Sequence, residues 1–167
     1  FIQNNDVLRK INEEKFSIGN FETTMVNSNY SVGFKIDRDL LFNFLSESYS
    51  EIFSSYDPAA YAAVKIGFYY NTLNQENDGI CKCPDNKCTL KKSSGKGSGE
   101  GIGQCKKVTI AIFESGNIVI TGGRNIEQAK TAYSYINKII EENANSFALI
   151  NMQNIYENMC ENVYENM

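Results

Sequence analysis

Apolar and polar positions change period several times along the chain. FETTMVNSNYSVGFKI (21–36) is rich in Thr, Val and Tyr with loose alternation, which predicts a strand region. Asp37 suits a helix N-cap, and Leu41, Phe44, Leu45, Ser48 and Ile52 then recur at helical spacing, predicting a helix over 38–53 with one buried stripe. Pro58 pushes Asp57 out of helical geometry, so the helix has ended by then. YAAVKIGFYY (61–70) returns to alternation, with Val64, Ile66 and Phe68 on one face and Ala63, Lys65 and Gly67 on the other. KKVTIAIFESGNIVIT, Lys106 to Thr121, predicts a hairpin turning at Ser115-Gly116-Asn117. Asn125 then caps a second helix, with Gln128 at the capping-box position and a buried stripe of Ile126, Ala129, Tyr133, Ile136 and Ile140.

Three other segments differ in character. Residues 1–20 are polar and mixed, read as a linker or the end of a preceding repeat. The chain starts at Phe1 rather than Met, which reads as a fragment of a longer protein. Residues 72–106 form an insertion with four cysteines and six glycines, in which Ser93–Gly103 resembles a flexible linker. The tail, 144–167, repeats YENM at 156–159 and 164–167, and its Ile155, Met159, Val163 and Met167 fit an amphipathic helix that needs a surface.

The hairpin carries the first functional hint. Val108, Ile110, Ile112, Ile118 and Ile120 point one way and form the core face. Thr109, Ala111, Phe113, Val119 and Thr121 point the other way, where a solvated sheet would carry charge. Thr24 and Val26 extend this second face on the first strand. Two helices suffice for one side of such a sheet. The smooth side therefore meets a partner, or lies under the tail helix or a dimer mate.

Composition narrows the chemistry. The absence of histidine removes Ser-His-Asp and Cys-His catalysis and Cys2His2 zinc sites, and no constellation of catalytic carboxylates stands out. The reading is a non-enzymatic protein. A net charge of −4 counts against a nucleic-acid partner, although charge on one face matters more than the total. No apolar run approaches the roughly 20 residues of a membrane span. The chain is expected to be intracellular, where cysteines are reduced or metal-bound. Cys81, Cys83, Cys88 and Cys105, spaced C-x-C-x4-C-x16-C, are a candidate zinc site, with Lys82, Lys87, Lys91, Lys92, Lys106 and Lys107 nearby to favour thiolates. Free thiols in a mobile loop, or a disulfide formed after purification, are the alternatives.

KKVTIAIFESGNIVITGGRNIEQAKTAYSYINKI resembles the strand–turn–strand–helix of TATA-box-binding protein repeats, through Ile112-Phe113, Ser115-Gly116, Val119 and Thr121-Gly122-Gly123-Arg124. SSYDPAAYAAVKI and TTMVNSNYSVGFKI resemble the preceding segments of the same repeat, so the likeness runs from about Phe21 to Asn143. It implies an α+β fold: a TBP-like repeat over 21–143, with a curved antiparallel sheet and two helices packed on one face. It implies a transcription factor that binds and bends promoter DNA through the minor groove, using aromatic wedges.

By the same resemblance Phe113 matches a wedge and Tyr61 stands at its partner's place. Val26, Val119 and Thr121 match groove-contacting positions, Thr24 stands where the family has Asn, Arg124 matches a basic residue near the phosphates, and Ser115 lies close by. Implied partners are double-stranded DNA, a TFIIB-like initiation factor or RNA polymerase, and a second repeat supplied by upstream sequence or a dimer mate. Two positions depart from the pattern. Asn117 replaces the turn lysine, removing a phosphate contact, and Asp57-Pro58-Ala59-Ala60 replaces the acidic patch that meets the initiation factor. Such divergent members resemble those of large nucleocytoplasmic DNA viruses, which implies a virus factory in the host cytoplasm, the host nucleus or the virion. A protein-interaction module on this fold, with DNA binding lost or reduced, is the alternative function.

Overall fold

A computed structural model of the protein describes residues 23–84, 88 and 95–149. The expected segment 1–20, the YENM repeats and lysines 87, 91 and 92 lie outside them. The chain runs β1 (Val26–Ser31), β2 (Lys35–Ile36), α1 (Arg38–Ser48), β3 (Phe53–Ser55), β4 (Ala63–Tyr70), β5 (Lys106–Phe113), β6 (Asn117–Gly123), α2 (Ile126–Asn143), a 3-10 turn (Ala144–Ser146) and β7 (Ala148–Leu149). Five strands form an antiparallel sheet in the order β1-β6-β5-β4-β3, and β2 pairs with β7 in a separate ribbon. The architecture is α+β.

One core accounts for the layering. Val64, Ile66 and Phe68 of β4, Val108, Ile110 and Ile112 of β5, and Ile118 and Ile120 of β6 are buried together with Leu41 and Leu45 of α1 and Ala129, Ala132, Ile136, Ile139 and Ile140 of α2. Both helices thus pack against the same side of the sheet. At roughly 1.5–3 kcal/mol for each large apolar side chain removed from water, this shared layer is the main source of stability.

Local signals place the helices. Asp37 accepts from the Leu40 amide (3.0 Å) and starts α1. The helix stops at Ser48 rather than 53: the Tyr49 amide makes the last helical bond, to Leu45 O, and Tyr49 itself leaves helical geometry at φ −132° and ψ 44°. Ile52 is still buried, on the turn that leads into β3. Asn125 accepts from the Gln128 amide (3.0 Å) and starts α2. Its buried stripe is rotated from the expected one: Ile126 is 75% exposed and Tyr133 is exposed, while Gln128, Ala132 and Ile139 face inward. Tyr133 packs edge-on against Tyr30 of β1, ring centroids 4.8 Å apart, which covers the sheet edge rather than the core.

Two segments behave unlike their composition. Residues 95–104, expected to be a linker, pack as a tight strip. The Gly95 carbonyl accepts from the Lys107 amide (2.7 Å), and the Gly97 and Gly99 amides donate to Cys105 O (3.2 Å) and Gln104 O (2.7 Å). Glycine is needed for closeness here: a Cβ on Gly95 would meet Lys107 Cβ, and one on Gly97 would meet the Gln104 carbonyl. The start of the tail also folds back. Phe147 is buried against Phe44 of α1, centroids 5.7 Å apart, and its carbonyl accepts from the Asp37 amide (2.8 Å).

Candidate functional site: the open sheet face and the cysteine cluster

The side of the sheet away from the helices is built in rows across the strands. Phe53, Gly67, Thr109 and Thr121 are successive cross-strand partners in one row. Ser55, Lys65, Ala111, Val119 and Asn29 form the next. Phe113 faces Ala63 at the hairpin end. Among the described strand positions on this face there is no Asp or Glu, and the only charges are Lys65 and Lys107. The described tail residues pack beside α1 and β2, and none of them lies on this face.

Phe113 and Tyr61, named together from the sequence, come together in space with ring centroids 5.9 Å apart. Tyr61 remains 42% exposed, and Lys65 Nζ lies 3.8 Å from its ring centroid, a cation–π contact. A shallow hollow of about 470 Å³ beside Phe113 is lined by Asn29, Ser31, Ser115, Asn117 and Val119. Ser115 sits exposed in the turn, where its Oγ accepts from the Asn117 amide (3.4 Å).

The first strand departs from the expected parity. Val26 packs against the core on the helix side and Thr24 precedes the strand. Asn27 and Asn29 take the open face instead. Asn27 Oδ1 accepts from Thr121 Oγ1, and Met25 Sδ lies 3.8 Å from the same hydroxyl. Ser28 and Tyr30 pair with Ile120 and Ile118 of the core rows, and alternation along β1 puts Val26 on the same side; beyond Ser28 the register shifts, Val26 pairing with Gly123, so β6 has one extra residue there. Gly122, at φ 92°, absorbs it. Alternation alone carries no signal for a bulge, although Gly122-Gly123 marks its position.

Sequence reasoning also missed Phe53. It stands on edge strand β3, 55% exposed, with Lys107 Nζ 4.6 Å from its ring centroid. It lies where α1 was expected to be ending, so a face assignment was out of reach.

Arg124 is exposed at the end of β6. Its amide donates to Gln128 Oε1 (2.8 Å) and its Nη2 to the Lys96 carbonyl (3.4 Å). Lys96 and Lys106 are bridge partners, so three cations gather at this end of the sheet. Burial, then Arg124 and Lys96, hold the Lys106 ammonium below the ordinary lysine value.

Cys81, Cys83, Cys88 and Cys105 form a second cluster. All four are buried, with sulfurs within 4.8 Å of one another, and they could hold a metal ion. Cys105 Sγ lies 3.6 Å from both Cys83 Sγ and Cys81 Sγ. The Gly103 amide donates to Cys83 Sγ (3.1 Å) and Asn71 Nδ2 to Cys105 Sγ (3.3 Å). Burial pushes the Cys105 thiol up; at Cys83 burial acts the same way, but the Gly103 amide and the neighbouring thiols outweigh it and hold that thiol down. Lys82, expected to favour thiolates, is instead engaged by Asp78 (2.8 Å) and Glu76 (3.3 Å).

A family model described as transcription factor TFIID (or TATA-binding protein, TBP) matches residues 103–143, which span β5, β6 and α2. This relates the segment that builds half of the open face to a family of transcription factors. Comparison with curated proteins gives no match. No described helix is long and apolar enough to cross a membrane.

Proposed function

We propose that the chain is a TBP-like repeat that lays its open sheet face on the minor groove of duplex DNA and bends it, with no enzymatic activity of its own. The observation that carries this reading is the face itself: small, apolar and amide side chains in register across the strands, no carboxylate, and an aromatic pair, Phe113 and Tyr61, at one end. The minor groove offers few distinguishing donors, so a smooth surface reads it by shape and contact. Asn27, Asn29 and Thr121 supply the hydrogen-bonding groups such a groove can take. Phe113 is the wedge, with Tyr61 behind it. Lys65 and Lys107 offset phosphate charge. A second repeat, from sequence preceding this chain or from a second copy, completes the surface, and an initiation factor or polymerase docks elsewhere on it.

The protein-interaction reading rests on one specific observation. Asn117 occupies the hairpin turn where the resemblance has a lysine, and the whole chain carries a net charge of −4.

Fluorescence-anisotropy titration decides between them, using this chain against TATA-containing and random duplexes at two salt concentrations. Salt-dependent binding that falls at least about tenfold in Phe113→Ala is expected, in line with roughly 1.4 kcal/mol or more from a buried aromatic contact. Absence of binding would assign the face to a protein partner.

A further inference from the structure

We propose that Cys81, Cys83, Cys88 and Cys105 bind one zinc ion, and that this ion staples the glycine strip 95–104 to the ends of β4 and β5. The donor set fits. Four thiols from three stretches of chain converge on one point, with sulfur separations of 3.6 Å for Cys83–Cys105 and Cys81–Cys105. A tetrahedron with Zn–S bonds of about 2.3 Å has edges of about 3.8 Å, close to these values. A disulfide would need about 2.05 Å and would pair the sulfurs two by two. Here Cys105 stands equally near two neighbours.

The surroundings match a metal–thiolate centre. Gly103 N–H and Asn71 Nδ2 both donate to sulfur, as outer-shell groups do when ligands carry negative charge. Binding releases the thiol protons to solvent and leaves four thiolates around the cation. The buried cluster here consists of the cysteines and Tyr69, too little apolar surface to hold the segment by itself.

The strip is tied to this centre at several points. Asn71 Nδ2 also donates to Gly101 O (2.8 Å), the Thr72 amide to Gly99 O (2.8 Å), and the Gly97 amide to Cys105 O (3.2 Å). From the other side Gln128 Nε2 donates to Ser98 O (2.7 Å), joining the strip to the start of α2. The ion therefore fixes Lys96 beside Lys106 and Arg124.

Elemental analysis of the purified chain tests the site, with hydrogen exchange as the second readout. One zinc per chain is expected, and cobalt in its place should give the absorption of a tetrahedral four-thiolate centre. Cys83→Ser should lose the metal, and Cys160→Ser, at the fifth cysteine of the sequence, which lies outside the described residues, should leave it bound. If Cys83→Ser does not fold, the cobalt spectrum of the unaltered chain decides. Chelation should strip exchange protection from the Gly97, Gly99 and Lys107 amides and leave Ile110 and Ile118 protected. A folded chain that takes up no zinc or cobalt overturns the site. Zinc bound with unchanged strip protection overturns the staple. Neither readout involves DNA, so the outcome is separate from that of the groove-binding reading.

Discussion

Asp78 shows how single side chains hold the segment after β4. Its Oδ1 accepts from Asn74 Nδ2 (2.7 Å) and the Ile80 amide (3.0 Å), and its Oδ2 pairs with Lys82 (2.8 Å). Burial opposes the charged form, but the Lys82, Asn74 and Ile80 hydrogen bonds outweigh it and hold the carboxyl below its ordinary value. A depressed folded value means that the unfolded chain binds the proton more readily. The stabilisation is therefore present above about pH 4, the unfolded aspartate value, and is lost as pH falls through the folded one. Asp78→Asn should remove this part of the acid dependence. Urea midpoints measured from neutral pH downward should fall less steeply below about pH 4 in the variant. Identical slopes in the two proteins would contradict the assignment.

At the scale of elements, the glycine strip makes the sharpest claim. A Cβ at Gly97 would collide with Gln104 backbone atoms, which cannot move aside as a side-chain tip would. Gly97→Ala should cost about 1–3 kcal/mol, the usual range for overpacking, read as a lower urea midpoint at constant slope. An unchanged midpoint would show that the strip is not packed as described. This element was not legible beforehand, because glycine-rich sequence reads alike as linker or as close backbone packing. Other elements were legible for clear reasons. The Ile rows of β5 and β6 and the Ser-Gly-Asn turn leave one hairpin register, and Asp37 and Asn125 mark helix starts through side-chain caps. Val26 lies on the core face against expectation, because the loose Thr, Val and Asn alternation of 21–36 leaves the phase of β1 open until Tyr30 and Ser28 pair with Ile118 and Ile120. Ile126 and Tyr133 fit the helical period but lie outside the buried stripe of α2, since several phases fit so many apolar positions.

Over the whole molecule the charge is divided by side. The two helices carry five carboxylates against three basic side chains, while the described open face carries lysines alone. Net acidity therefore does not describe the surface that meets a ligand. If Arg124 neutralises one phosphate, Arg124→Ala should lower the slope of log affinity against log salt by about 1. Lys138→Ala, exposed on α2, should leave the slope unchanged. Equal effects from the two would mean that nonspecific charge governs the slope.

The central claim is that Phe113 enters duplex DNA from the open sheet face. The most direct measurement is the bend angle of a TATA duplex labelled at both ends, read by energy transfer with the DNA saturated by the protein. The account predicts a kinked duplex with the unaltered protein and a markedly straighter one with Phe113→Ala at the same saturation. An equal bend in both complexes, or a straight duplex in the complex with the unaltered protein, would contradict it.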